Sequence, residues 1–208
     1  MDTARIFKGD GTIGTNNAAV IETVAGDGTS ARVFGGMGGP AVKAQIGEPY
    51  GVVTDAEGNL YIGSAVLIPY SHWQHRILKV DRKGIVTEDK NAVPSSQSGF
   101  ARDAQGNYYH SWTNYHCIYR IDGQNAITTY GTCNMNYGGG FSGDGGPATA
   151  ARFNTPTGVD VDSGGNVYVA DKSNHRVRKI DTNGTITTFA GTGAAASSGD
   201  GGPAASAA

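Results

Sequence analysis

His72, His75, His110 and His116 share one stretch of this 208-residue chain with Tyr70, Trp73, Trp112 and Tyr115. So many imidazoles raise zinc, which takes four N or S ligands in a structural site, or three and a water in a catalytic one. His75, His116 and His175, however, occupy one repeated position ahead of a strand (His75-Arg76, His116-Cys117, His175-Arg176), where a structural hydrogen bond is the simpler role. That leaves His72 and His110, too few for either kind of zinc site. Asp144 and Asp200, each in a Gly-Asp-Gly-Gly segment, raise calcium, but six to eight oxygen ligands are needed and dense Asp/Asn alternation is missing. Asp is equally a turn residue, so no cofactor is expected, with calcium as the alternative. The serines cluster at Ser95-Ser96 and Ser197-Ser198 with no Gly-x-Ser-x-Gly elbow, and Glu22, Glu48, Glu57 and Glu88 are scattered. Nothing here assembles a catalytic group. Recognition remains: Tyr70, His72, Trp73, His110, Trp112 and Tyr115 are the candidate ligand-binding residues, since aromatics with polar handles suit protein or sugar surfaces. The competing reading is that the 64–75 insertion folds back as a small satellite core or packs against the rest of a larger ring.

These side chains hang on a repeated framework. Asp55-Ala-Glu-Gly-Asn59, Asp103-Ala-Gln-Gly-Asn107 and Asp162-Ser-Gly-Gly-Asn166 each sit between two short apolar strands. The same sequel follows each turn. In the third unit it reads Val167-Tyr-Val-Ala-Asp171, Asn174-His-Arg-Val-Arg-Lys-Ile-Asp181 and Gly184-Thr-Ile-Thr-Thr-Phe-Ala190. With the apolar run before each turn (Gly51-Val-Val-Thr54, Gly99-Phe-Ala-Arg102, Gly158-Val-Asp-Val161), every unit holds four strands, which is one propeller blade.

The chain resembles the NHL-repeat family. Residues 143–193 carry its elements in order: Gly143-Asp-Gly-Gly-Pro-Ala148, Pro156-Thr-Gly-Val159, Asn174-His-Arg-Val-Arg-Lys179 and Thr188-Phe-Ala-Gly191. The first unit departs with Gly36-Met-Gly-Gly-Pro-Ala41 and with Ser64 in place of Asp171; the second lacks the Gly-Gly-Pro segment and has Trp112 there. The resemblance implies an all-β fold, a β-propeller of four-stranded antiparallel blades, about half of a six-bladed NHL-type ring. Residues 1–28 then end a preceding blade, 47–90, 99–133 and 154–193 form blades, and 194–208 begin another. Such a half-ring is either a segment of a longer protein or is completed by self-association, since unpaired sheet flanks invite partners.

In an up-and-down blade the first-to-second and third-to-fourth turns share one face, and here they are uniformly tight. The other face carries the long connections 27–50, 64–75, 88–98 and 131–157, which makes it the expected binding face. Cys117 starts a third strand and Cys133 follows the fourth, nearly opposite, so a disulfide is the candidate pairing, with two unrelated thiols as the alternative. A bond would indicate an oxidising compartment, and a secreted, periplasmic or extracellular location is expected. The Asn183-Gly-Thr185 sequon coincides with a hairpin turn whose chemistry explains it. Net charge is −2 and Gly numbers 33, which weighs against nucleic acid and suits many tight turns. No apolar stretch approaches the ~20 residues of a membrane-spanning helix. The expected function is an interaction scaffold binding protein or carbohydrate through the long-loop face. Two alternatives stay open: a secreted enzyme of lyase or lactonase type whose site needs further blades, and an RNA-binding domain reading phosphates with the repeated Arg and Lys. Those basic residues are expected to alternate outward on a solvent-facing strand and pair with the repeated Asp residues.

Overall fold

In every blade a carboxylate closes the turn between the first two strands. In the computed structural model, which describes residues 6–9, 21–29, 33–67, 73–91, 97–133 and 138–208, Asp55 Oδ1 accepts the Asn59 backbone N–H at 2.8 Å and Oδ2 accepts the Asn59 amide and the Tyr61 hydroxyl. Asp103 repeats this with Asn107 and Tyr109, and Asp162 with Asn166 and Tyr168. The turn needs a positive φ at its fourth residue, supplied by Gly58, Gly106 and Gly165 at +82° to +83°. The repeated unit is therefore Asp-x-x-Gly-Asn-x-Tyr, with the phenol as a third donor.

Two compact units divide at Pro94/Ser95. In the first, β1 (Ile6–Gly9) and β2 (Ile21–Ala25) form a two-stranded antiparallel pair. A connection with one 3-10 turn at Ala41–Lys43 then leads to the sheet β3 (Glu48–Thr54), β4 (Leu60–Leu67), β5 (Trp73–Val80) and β6 (Val86–Asn91), in that spatial order. Its core holds Ala25, Ala41, Ala44, Ile46, Ile62, Leu78 and Val86, with Met37 and Phe34 packed against it.

The second unit holds two such sheets. One is β7 (Gln97–Arg102), β8 (Tyr108–Trp112), β9 (Cys117–Ile121) and β10 (Ile127–Tyr130). The other is β11 (Pro156–Val161), β12 (Val167–Asp171), β13 (Arg176–Ile180) and β14 (Ile186–Ala190). The chain is all-β, built from four-stranded antiparallel blades of a β-propeller. The two blades of this unit meet closely along β7 and β11, where a Cβ on Gly99 would stand 2.5 Å from the Val159 nitrogen. Ser111 and Thr113 hydroxyls also donate across to the Thr157 and Pro156 carbonyls at 2.7 and 2.8 Å. Phe153, fully buried among Ile118, Val169 and Ile180, fills the seam. Truncating it to Ala is expected to cost about 3–5 kcal/mol.

Cys117 and Cys133 are bonded, with Cα atoms 5.0 Å apart. The equivalent place in the next blade holds Arg176, whose guanidinium lies where a Cβ on Gly193 would stand and donates to the Thr192 carbonyl. The cross-link thus substitutes for an arginine clasp.

Candidate functional site

The long-loop face takes a different form in each blade. In the first, β4 and β5 pair beyond Ser64↔Arg76 through Ala65↔His75, Val66↔Gln74 and Leu67↔Trp73. The corresponding strands β8 and β12 stop at Trp112 and Asp171, so this hairpin overshoots its counterparts. Ala65, Val66 and His75 are buried along it, whereas Leu67 and Trp73 at its end are 51% and 37% exposed. His75 packs against the Tyr50 ring at 6.0 Å, and burial holds its pKa below the ordinary histidine value. Its Nδ1 has no hydrogen-bond partner among the described residues. Tyr70 and His72 lie outside the described residues.

In the second blade His110 is wholly inside, its ring 5.0 Å from that of Phe100, so it faces the blade interior and not the loop surface. Trp112 stacks on Tyr115 at 3.6 Å, carried there by the 3-10 turn Thr113–Tyr115, and leans on Tyr119 at 4.9 Å. Burial, and then the neighbouring Tyr115, push the Tyr119 phenol up to about 12, so it stays a neutral donor. Trp112 and Tyr115 remain half-exposed. His116 turns the chain with φ 57° and its Nδ1 accepts the Thr155 backbone N–H at 3.0 Å. Its role in the repeated His position is therefore structural.

The third blade is ionic at the same level. Arg178 is fully buried; its Nη2 and Nε donate to Asp144 Oδ1 at 2.6 and 3.1 Å, and its Nη1 reaches Asp171 Oδ2 at 3.4 Å. Asp171 also accepts the Asn154 backbone N–H and the Asn174 amide. Burial raises the Asp171 pKa, a shift that these donors and the Arg178 charge oppose. The expectation that the strand arginines face solvent is corrected at Arg178. β13 presents this side chain to the interior, opposite Val169, where only a charge partner makes burial tolerable. Asp144, one of the candidate calcium residues, has both oxygens engaged, the second by the Thr188 hydroxyl at 2.7 Å.

The three positions of this ionic cluster change together. Asp144, Asp171 and Arg178 correspond to Met37, Ser64 and Leu78 in the first blade, where Leu78 is fully buried and Met37 packs on the core. In the second blade Trp112 and Tyr119 stand for Asp171 and Arg178 and touch ring to ring. Sequence reasoning compared Ser64, Trp112 and Asp171 but not their partners in the third strand. The signal was Leu78, Tyr119 and Arg178, three residues after each repeated His. Among the described residues no three His, Cys, Asp or Glu side chains are grouped to hold a cation.

The family model of the Teneurin NHL domain matches residues 18–206. Among curated proteins, zebrafish (Danio rerio) Teneurin-3 is 29% identical over 201 residues and human (Homo sapiens) Teneurin-1 is 27% identical over 184, covering 89% and 83% of this chain. The chain spans 6–7% of the length of these relatives. Among solved structures, a putative phosphatase from Bacteroides thetaiotaomicron superposes with a TM-score of 0.54 over 91% of this chain and 42% of its own, at 17% identity, a likeness of fold alone. With its Asp-x-x-Gly-Asn-x-Tyr turns and four-stranded blades matched almost end to end, the chain belongs to the Teneurin NHL domain family.

Proposed function

We propose that this NHL segment is a non-catalytic, extracellular interaction scaffold that binds a protein partner through its long-loop face. The observation that carries the reading is the overshooting β4–β5 hairpin, which holds Leu67 and Trp73 exposed side by side. Solvent-exposed Trp next to Leu, raised on a paired strand rather than a slack loop, has the make-up of a binding hot spot at low ordering cost. The Trp112–Tyr115 stack is a second aromatic platform on the corresponding end of its own blade. The disulfide and the Teneurin relatives support an extracellular setting.

The test uses the labelled chain on intact cells. Wild type is expected to bind saturably, and the Leu67→Asp/Trp73→Ala variant to lose at least about tenfold in affinity while keeping the wild-type melting temperature. Equal binding by the two proteins would remove the hairpin from the site. Because Trp73 and Trp112 are the two tryptophans of the chain, Trp73→Phe and Trp112→Phe separate their fluorescence. A ligand-induced shift confined to Trp73 would locate the contact.

A further inference from the structure

On the opposite, tight-turn face of the second unit a cleft of about 580 Å³ opens between its two blades. Its base is formed by Tyr109 and Tyr130 from one blade and Val167 and Ile180 from the other; Tyr109, Val167 and Ile180 are buried, and the Tyr130 ring is the half-exposed member. Its walls differ in hydrogen-bonding sense. On one side Arg120 hydrogen-bonds the Tyr109 hydroxyl, which in turn donates to Asp103. Among the described residues no carboxylate lies within ion-pair distance of Arg120, so guanidinium N–H groups are available beyond the Tyr109 bond. On the other side Asp181 uses Oδ1 to close its own turn, accepting the Asn183 and Thr185 backbone N–H groups at 2.9 Å. Its Oδ2 accepts nothing among the described residues. Burial and the nearby Asp103 push the Tyr109 phenol up to about 12, and burial raises that of Tyr130; both rings are neutral at any physiological pH.

We propose that this cleft is a binding site for a neutral saccharide, a monosaccharide or the end of an oligosaccharide. A sugar ring offers an apolar C–H face and a girdle of hydroxyls that donate and accept at once. The half-exposed Tyr130 ring takes the face, the Arg120 wall donates, and the free oxygen of Asp181 accepts. Charge selects against acidic sugars: two carboxylates, Asp103 and Asp181, and one guanidinium line the space, so a ligand carboxylate meets net repulsion. The volume falls in the range of small-molecule sites. The turns that line it are rigid, each pinned by an Asp side chain to its own backbone, so little ordering cost is added on binding.

The cleft belongs to the second unit and the proposed protein-binding hairpin to the first, so each is tested by its own variants. Saturation-transfer NMR on the intact chain would screen glucose, galactose, mannose, N-acetylglucosamine and their disaccharides, with glucuronate as the charged control. The expected result is saturable transfer from at least one neutral sugar. Ser163→Trp, which places a bulky ring from an exposed turn residue into the mouth, should abolish it. Arg120→Met and Asp181→Asn should each weaken it by about tenfold. Each variant is to be checked for a wild-type near-ultraviolet spectrum, and where Asp181→Asn unfolds, Ser163→Trp and Arg120→Met suffice. Absence of transfer from every neutral sugar, persistence of binding in Ser163→Trp, or tighter binding of glucuronate would each overturn the proposal.

Discussion

At the scale of residues, the chain repeats its positions more faithfully than its chemistry. Arg178, Leu78 and Tyr119 are the same residue of the blade in ionic, apolar and aromatic form. Removing one member of the ionic form strands a buried charge: Arg178→Met leaves Asp171, itself fully buried, without its cation and is expected to cost about 3–5 kcal/mol in urea unfolding. The triple variant Asp144→Met/Asp171→Ser/Arg178→Leu, which installs the first blade's set, should recover most of that loss, since matched apolar replacements of buried ion pairs are often neutral. Acid stability is also a residue property. Burial works to raise the Asp55 pKa, but the Asn59 and Tyr61 donors outweigh it and hold the carboxyl below its ordinary value; Asn166, and then Tyr168 and Gly164, do the same for Asp162. With folded pKa values depressed, their contribution is complete above about pH 4 and is lost as pH falls through the folded values. Asp162→Asn should therefore melt lower than wild type at neutral pH but lose less on acidification, as circular dichroism melts from about pH 5 to pH 2 would show.

At the scale of elements, the turns and strands were legible because their determinants are local. Asp, Gly and Asn at fixed offsets set each turn, and β-branched residues fill the strands between. The Cys117–Cys133 bond was legible for the same reason, since two positions on one hairpin are fixed by register. Reducing it should lower stability by about 2–4 kcal/mol, read as a urea midpoint shift. The double variant Cys117→Arg/Cys133→Gly should recover part of this if the Arg176 clasp is its true equivalent. What sequence did not show was direction. His110 and Arg178 sit on strands that pair without a break, His110 opposite Tyr119 and Arg178 opposite Val169, and alternation along a strand does not by itself say which of its two faces is buried when polar residues occupy both. The saccharide cleft was hidden too: its walls come from turns of different repeats, and uniform tightness made that face look featureless.

At the scale of the molecule, charge and topology narrow the alternatives. Among the described residues no helix is long and apolar enough to cross a membrane. Net charge is −2, and three of the repeated basic side chains are engaged internally: Arg178 by two carboxylates, Lys79 and Lys179 over the Tyr61 and Tyr168 rings. Single-stranded RNA is accordingly expected to show no binding at physiological salt by fluorescence anisotropy, because a backbone-binding groove needs uncommitted cations. Sheets whose strands follow one another in sequence order form by successive hairpins, and tandem repeats of this kind are prone to exchange equivalent segments while folding. Here the hidden fillings of the first and third repeats are mutually unacceptable: an arginine strand docked in the first blade would find Met37 and Ser64 where it requires two acids, and a leucine strand in the third would leave those acids facing each other. Each repeat therefore carries a password for its own third strand, and proofreading against shuffled assembly is built into the sequence before the chain is complete.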